Sequence, residues 1–429
     1  MKIKDLETKA RAYALKNALA YKGKAQQGAV ISALFNEGLK KDEVKKFAKD
    51  ISKIINEVNK LSLEEQEEEF GSLKKGISIR KVREGLEELP NAKKGKVIMR
   101  FAPSASGPFH IGHAMTLGLI YVYVKKYDGK LYIRIEDTNP ENIYKPAYNM
   151  IKKESKWLSK NKAKIIIQSE RMKLYYKYAE QLIKKNSAYV CTCSGDDFRK
   201  YVKEKKNCPC RKLNVKENLE RWKKMLGSGT KSQASSSKNG KRDKNGFKEG
   251  EAVLRFKSSG GMKDKNPAMR DFPLARVNLT EHVLQKKKYR VWPLMNLAVT
   301  VDDIELGMTH IIRGKDHRDN AKRQEMIYKV LGKKYPWVGF IGRIHFKDLE
   351  LSTTKIKEAI KKGKFKGWDD KRLPTIASLK KQGYKPRAFW KFSEQVGLSE
   401  TDKTIDKSEY FKLLNAFNRD SRDSISECD

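Results

Sequence analysis

Two histidines three residues apart, His110 and His113, follow a short apolar run and a turn made of Ser104, Ser106, Gly107 and Pro108. At the start of a helix that spacing sets both imidazoles on one side. The free N–H groups and the positive end of the helix favour an anion there. Gly107 and Gly112 let a nucleotide approach the backbone closely. Paired imidazoles in such a turn can donate hydrogen bonds to a phosphate as charge builds on it. A bare His-x-x-His also fits two surface histidines or a metal pair; the preceding strand and the small-residue turn shift the reading to phosphate chemistry. The cysteines offer a second chemistry. Cys191-Thr-Cys193 and Cys208-Pro-Cys210 form two close pairs, and four thiolates can close a tetrahedral zinc site with no open position, a structural rather than catalytic arrangement. Buried or incidental thiols are the plainer alternative. Cys428 stands apart, as an incidental terminal thiol.

These residues need a frame. Val97 to Phe101 is a short apolar run, and Ile111 to about Lys125 is an apolar helix. Leu131, Ile133 and Ile135 alternate with Tyr132, Arg134 and Glu136, so the first three share one face of a strand and the others its opposite face. Strand, loop, helix and strand make a βαβ unit with a parallel sheet. The first 90 residues read as helical, with apolar side chains at three- and four-residue spacing over Tyr13–Tyr21 and again over Val44–Leu63. Between about Gly227 and Gly246 lies a Ser-, Gly- and Lys-rich tract that cannot bury enough surface to order itself, a flexible basic loop. Strand-like sequence resumes at Glu251–Phe256, a mixed region runs from Tyr289 to about Gly342, and helical signal returns from Thr375.

Composition narrows the partners. The chain has 429 residues, enough for two to four domains, with 94 Lys and Arg against 53 Asp and Glu, a net +41. That surplus points to a polyanion, nucleic acid ahead of an anionic membrane. Solvated lysine-rich helix faces are the alternative. The longest apolar run, Leu117 to Val124, is far short of the roughly 20 residues a membrane span needs, and the N-terminus lacks a secretory signal core. A cytoplasmic location follows as the expectation.

The block His110-Ile-Gly-His113 resembles the HIGH signature of class I aminoacyl-tRNA synthetases. The segments Arg100–Ala114, Arg134–Pro140, Gly367–Thr375 and Gly23–Ile31 resemble the glutamyl-tRNA synthetase branch in its archaeal or eukaryotic-like form. The resemblance implies an α/β fold: a Rossmann-like class I catalytic core with an inserted acceptor-stem domain and helical N-terminal and C-terminal parts. Its divisions would be a helical region over 1–92, the first half of the core over 93–190, the insert over 191–288, the second half over 289–346, a KMSKS-like loop region over 347–374 and a helical stem-contact region over 375–429. The implied reaction ligates L-glutamate to tRNA(Glu) through glutamyl-adenylate, with ATP and Mg²⁺; whether tRNA(Gln) is charged too is left open.

Residue roles carry over with the motifs. Glu350 to Ile356 is similar to the KMSKS loop, with Lys355 in the role that neutralises the β- and γ-phosphates, and Glu350 where the family usually has lysine. ATP would meet Ser106, Gly107, His110, Gly112, His113, Ser352 and Lys355, with His110, His113 and Lys355 acting on the phosphates. Glutamate would meet Arg100 and Arg313 through its side-chain carboxylate, and Glu136 and Ser104 through its ammonium and main-chain groups. Ala102 and Met295 complete the pocket. Met295 replaces a tyrosine of the family, so weaker glutamate binding or a repacked pocket is expected. The bland alternative for each arginine is an ion pair with Asp302, Asp303 or Asp316. Zinc on the four cysteines matches the position of the insert. The chain ends at Asp429, ten residues after Arg419, so the anticodon-binding barrels are expected to be missing or supplied by a separate chain. Competing functions are a glutaminyl-tRNA synthetase, disfavoured by Arg313, a smaller nucleotidyltransferase, and a catalytically weakened tRNA-binding paralogue, suggested by Glu350 and Met295.

Overall fold

The computed structural model describes residues 3–21, 23–35, 37–39, 42–77, 85–227 and 246–423, in two compact units, Met1–Glu84 and Gly85–Asp429. The first unit holds α1 (Ile3–Ala20), α2 (Gln27–Phe35), α3 (Val44–Val58) and α4 (Leu63–Leu73). Its core follows from the helical repeat: Phe47, Ile51, Ile55 and Val58 line one buried face of α3, the apolar stripe a packed helix requires. Ser62 and Glu65 cap α4 reciprocally, which satisfies two backbone donors that the helix start would leave free.

In the second unit β1 (Ile98–Phe101), α5 (Ile111–Lys126), β2 (Lys130–Ile135), α6 (Ala147–Leu158) and β3 (Ala163–Ile167) form the first half of a parallel sheet. Arg100 lies beside Tyr132, and Ile133 beside Ile165. After α7 (Met172–Lys184) comes an antiparallel sheet of β4 (Ala188–Cys191), β5 (Val253–Phe256), β6 (Phe272–Val277) and β7 (Val291–Pro293), in that order, with α8 (Gly195–Lys203) and α9 (Val215–Leu226). This sheet exceeds the 191–288 expected for an insert at both ends. The short run Ala188–Cys191 is itself the first strand, and the cysteine that marked the boundary in the sequence sits at that strand's end. Of the expected basic loop, residues 228–245 lie outside the described residues, as does Cys428.

The parallel sheet then resumes. Helix α10 (Met295–Glu305), β8 (His310–Gly314), α11 (Arg318–Leu331) and β9 (Trp337–Ile341) make its second half, with Ile312 beside Gly339. Thr309 N–H donates to Ile98 O at 3.0 Å, and Ile98 N–H to Thr309 Oγ1 at 2.9 Å. These bonds set β8 against β1, so the strands run β3-β2-β1-β8-β9 across the molecule. The order in which the chain adds strands reverses between β1 and β8, outward to β2 and β3 on one side and to β9 on the other, and a crevice opens beyond the carboxyl ends of strands at such a switch point.

The remainder is β10 (Ile344–Phe346), α12 (Thr353–Lys361), α13 (Ile376–Lys381), α14 (Pro386–Val396), β11 (Lys403–Ile405) and α15 (Lys407–Asp423). Strand β11 pairs in parallel with β10, which corrects the wholly helical reading from Thr375 onward: three residues are too few to show a period of two. Helix α14 buries Phe389 and Phe392 completely or nearly so, within the same apolar core as Leu117 and Ile120 of α5. No helix among the described residues is long and apolar enough to cross a membrane.

Candidate active site

Beyond the end of β1 the chain stays extended. Glu136 N–H donates to Pro103 O at 2.9 Å and Ala105 N–H to Glu136 O at 3.2 Å, which prolongs the β1–β2 pairing and holds exposed Ser104 beside Glu136. Ala102 lies half-buried between this pairing and β1, and Ser106 is exposed at the turn. His110 then starts α5 from an extended conformation, at φ −112° and ψ 175°. Its Nδ1 accepts from Gly112 N–H at 3.1 Å, while His113 Nδ1 accepts from the N–H of His110 at 3.3 Å. Two imidazoles thus do the capping that Ser and Glu usually do. The exchange fixes the tautomers: with each Nδ1 an acceptor, each neutral ring carries its proton on Nε2. Burial lowers His110 to about 4, and burial with the neighbouring His110 ring lowers His113 well below the usual range. Both rings, 3.9 Å apart at their centres, are therefore neutral Nε2–H donors at physiological pH. A Cβ on Gly112 would stand 3.0 Å from His110 Cε1, so the glycine makes room for the ring.

The lysine-bearing loop meets this turn. Ser352 caps α12 through a 3.4 Å bond from Lys355 N–H, and a Cβ on Gly107 would overlap Thr353 Cγ2. Gly107 thus lies directly against the first residue of α12, and the HIGH-like and KMSKS-like segments meet there. Lys355 is exposed, with Nζ 2.9 Å from Glu350 Oε2; Glu350 Oε1 also accepts from Ser352 N–H at 2.8 Å. The hydrogen bond and charge of Lys355 hold Glu350's carboxyl below its ordinary range.

Across the crevice the charges are unequally paired. Arg100 is 4 % exposed and turns Nε and Nη2 onto the two oxygens of Asp303, at 3.2 and 3.3 Å. Arg134, wholly buried, also bonds Asp303 and reaches Glu136 Oε1 at 3.0 Å. Burial opposes the Asp303 charge, but Arg100 and Arg134 outweigh it and hold the carboxyl below its ordinary value. Asp302 accepts from Gln168 Nε2, Arg171 Nε and Tyr175 OH at 2.9, 2.7 and 2.9 Å. Asp316 pairs with Arg343 at 3.0 Å.

Arg313 differs. It is 8 % exposed, donates from Nη1 to Gln324 Oε1 at 2.8 Å, and has a buried Nε without a hydrogen-bond partner. Gln324 in turn donates to Asn296, so a neutral chain of amides backs the guanidinium. Burial, then the charge of Arg100, lowers Arg313 to about 10, which leaves it cationic at neutral pH. Of the acids weighed in the sequence, Asp303 goes to Arg100, and no ion pair is found for Arg313 among the described residues. Arg134, Gln324 and Asn296 escaped the sequence reading; the only signal was the even-numbered face of β2 that Arg134 shares with Glu136. Met295 begins α10 and is 39 % exposed.

The cysteines converge in a small cluster of their own with Tyr189. Cys191 and Cys208 Sγ lie 3.8 Å apart, as do Cys193 and Cys210, and all four sulfurs fall within 4.8 Å of one another. These separations are too long for disulfides. A tetrahedron with Zn–S bonds of about 2.3 Å has S···S edges of roughly 3.8 Å, so the donor set fits zinc. Thr192 N–H and Arg221 Nη1 both donate to Cys210 Sγ, at 3.4 and 3.5 Å, as outer donors to a thiolate ligand do.

Residues 96–421 match the family model described as tRNA synthetases class I (E and Q), catalytic domain. The glutamate–tRNA ligase of Methanothermobacter marburgensis is 40 % identical over 409 residues, 94 % of this chain and 69 % of the relative. That of Pyrococcus furiosus is 40 % identical over 436 residues, 98 % of this chain and 72 % of the relative. Among solved structures, a glutamate tRNA ligase from Elizabethkingia meningosepticum in complex with its amino acid aligns with a TM-score of 0.50 at 21 % identity, over 77 % of this chain and 70 % of that one. That likeness bears on the fold.

Proposed function

The chain belongs to the class I tRNA synthetases of the glutamate and glutamine type, and from that premise we propose how its residues divide the work of joining glutamate to tRNA. The enzyme uses ATP and ligates L-glutamate to tRNA. In the first step an α-carboxylate oxygen of glutamate bonds to the α-phosphorus of ATP, and the bond to pyrophosphate breaks. In the second, the terminal 2′-hydroxyl of tRNA attacks the glutamyl carbonyl and AMP leaves. Positioning and charge stabilisation carry such phosphoryl chemistry, with no covalent enzyme nucleophile.

The single observation that carries the glutamate assignment is Arg313: a buried guanidinium with a neutral backing and no ion-pair partner among the described residues. A substrate carboxylate completes it. Glutamine, of nearly the same shape, offers an amide N–H₂ where the arginine needs an acceptor. Arg100 serves chiefly to hold Asp303, and Glu136, steadied by Arg134, faces the ammonium with Ser104. His110 and His113 donate their Nε2 protons to α-phosphate oxygens, and Lys355 meets the β- and γ-phosphates once it leaves Glu350. Mg²⁺ bound to the nucleotide would add charge screening at the phosphates. Purified protein should exchange pyrophosphate into ATP only when glutamate is present, with tRNA(Glu) included; no exchange under those conditions would overturn the reading.

Restoring the family's hydroxyl by Met295→Tyr should lower the KM for glutamate by about 3- to 10-fold, the range of one added hydrogen bond, with kcat nearly constant. An unchanged KM would make the hydroxyl dispensable. On the cysteines, zinc bound by Cys191, Cys193, Cys208 and Cys210 would clamp β4 to the segment before α9. Cys208→Ser should reduce bound zinc, measured by elemental analysis, from about one ion per chain to near zero, since a structural site depends on its full set of thiolates. Protease cleavage within 188–293 should then rise. Wild-type protein without zinc, or a variant with full zinc content, would refute the site.

A further inference from the structure

The peptide that enters α5 is held from two sides. On one, Ile376 N–H donates to Phe109 O at 2.8 Å and Ile111 N–H to Pro374 O at 3.0 Å, so His110 and Thr375 form an antiparallel bridge. On the other, Phe109 N–H points at Glu154 of α6, with Oε2 at 2.6 Å. Both peptide units that flank Phe109 are thereby fixed, and the direction in which the next residue, His110, leaves the chain is fixed with them.

Glu154 is costly where it stands. It is 7 % exposed and has no ion-pair partner among the described residues, and a buried carboxyl is tolerated only where it satisfies something an apolar side chain cannot. What it satisfies is a backbone donor that the turn would otherwise bury alone. Burial raises its carboxyl to about 8, against the downward pull of the Phe109 N–H and the Lys380 charge. At neutral pH it is mostly the neutral acid, and its oxygen serves as an acceptor, not as a charge.

We propose that Glu154 is a positioning residue for adenylate formation: its carboxyl oxygen fixes the peptide before His110 and so aims the paired imidazoles at the α-phosphate. The proposal rests on the reading of His110 and His113 given above. Misplacement of catalytic groups by about 1 Å can cost on the order of 100-fold in rate, which sets the expected effect. The assay is ATP–pyrophosphate exchange by the full chain with tRNA(Glu), reading kcat and KM for ATP separately, with melting temperatures measured beside it.

Glu154→Asp, one methylene too short to reach Phe109, and Glu154→Leu, which has no acceptor, should lower kcat roughly 30- to 100-fold with KM for ATP within about 3-fold. Glu154→Gln, whose amide oxygen can accept the same N–H, should stay within about 3-fold of wild type. Should the Leu variant not fold, the Asp and Gln variants decide the matter alone. Wild-type rates in the Asp variant, or a Gln variant as slow as Asp, would overturn the positioning role. His110→Ala at the wild-type rate would instead overturn the reading of the histidine site itself, and so keeps the two failures apart.

Discussion

Arg313→Gln is expected to lower kcat/KM for glutamate by about two to three orders of magnitude, while any activity with glutamine changes far less. The argument is one of burial and pairing. Arg313 is held by Gln324 and has no ion-pair partner among the described residues, in a crevice where Arg100 and Arg134 are both paired with Asp303. A substrate carboxylate that enters there gains its partner; with the arginine removed, it loses a directly bonded cation that offsets its own desolvation. Breaking a buried charge pair from one side costs about 3–5 kcal/mol, and each 1.4 kcal/mol is tenfold. Exchange kinetics with varied glutamate measure the effect. A change below about fivefold would mean that another group reads the side chain. Arg100 is the less clean probe, because its loss also leaves buried Asp303 with Arg134 alone.

Lys355→Ala should reduce the rate of adenylate formation by about 10²- to 10³-fold, the usual loss when one charged stabiliser of the reacting phosphates is removed. The geometry adds a second, smaller expectation. Lys355 rests on Glu350 rather than free in solvent, and ATP must compete for it. Both side chains are exposed, and exposed pairs of this kind are weak, so Glu350→Gln should raise the rate only a few-fold at subsaturating ATP and leave the saturated rate unchanged. Single-turnover measurement of adenylate formation separates the two variants. An unaffected Lys355→Ala enzyme would remove this loop from the phosphate chemistry.

The parts of the fold that were legible in the sequence are those written in local pattern. The apolar run of β1, the glycine-rich turn and the alternation in β2 announce a parallel βαβ unit, and the family resemblance extends that to the Rossmann-like core that the family match supports. The cysteine pairs, too, could be read from spacing alone. What escaped depends on partners far apart in the chain. Arg134 lies on the face of β2 opposite Leu131, Ile133 and Ile135, and the alternation does not show that it is wholly buried against Asp302 and Asp303 of α10. Glu154 sits within the amphipathic pattern of α6 as one more charged residue, and only the close approach of the turn before α5 reveals its bond. The unequal pairing of Arg100 and Arg313 could not be foreseen either, since three acids were available to two arginines and geometry alone chose among them.

Aminoacylation of purified tRNA(Glu) and tRNA(Gln), with glutamate and glutamine supplied in parallel, tests the central claim most directly. Glutamate should be transferred to tRNA(Glu), and glutamine to neither tRNA, because Arg313 offers no partner for an amide donor. Efficient transfer of glutamine, or no transfer of glutamate to tRNA(Glu), would contradict the account.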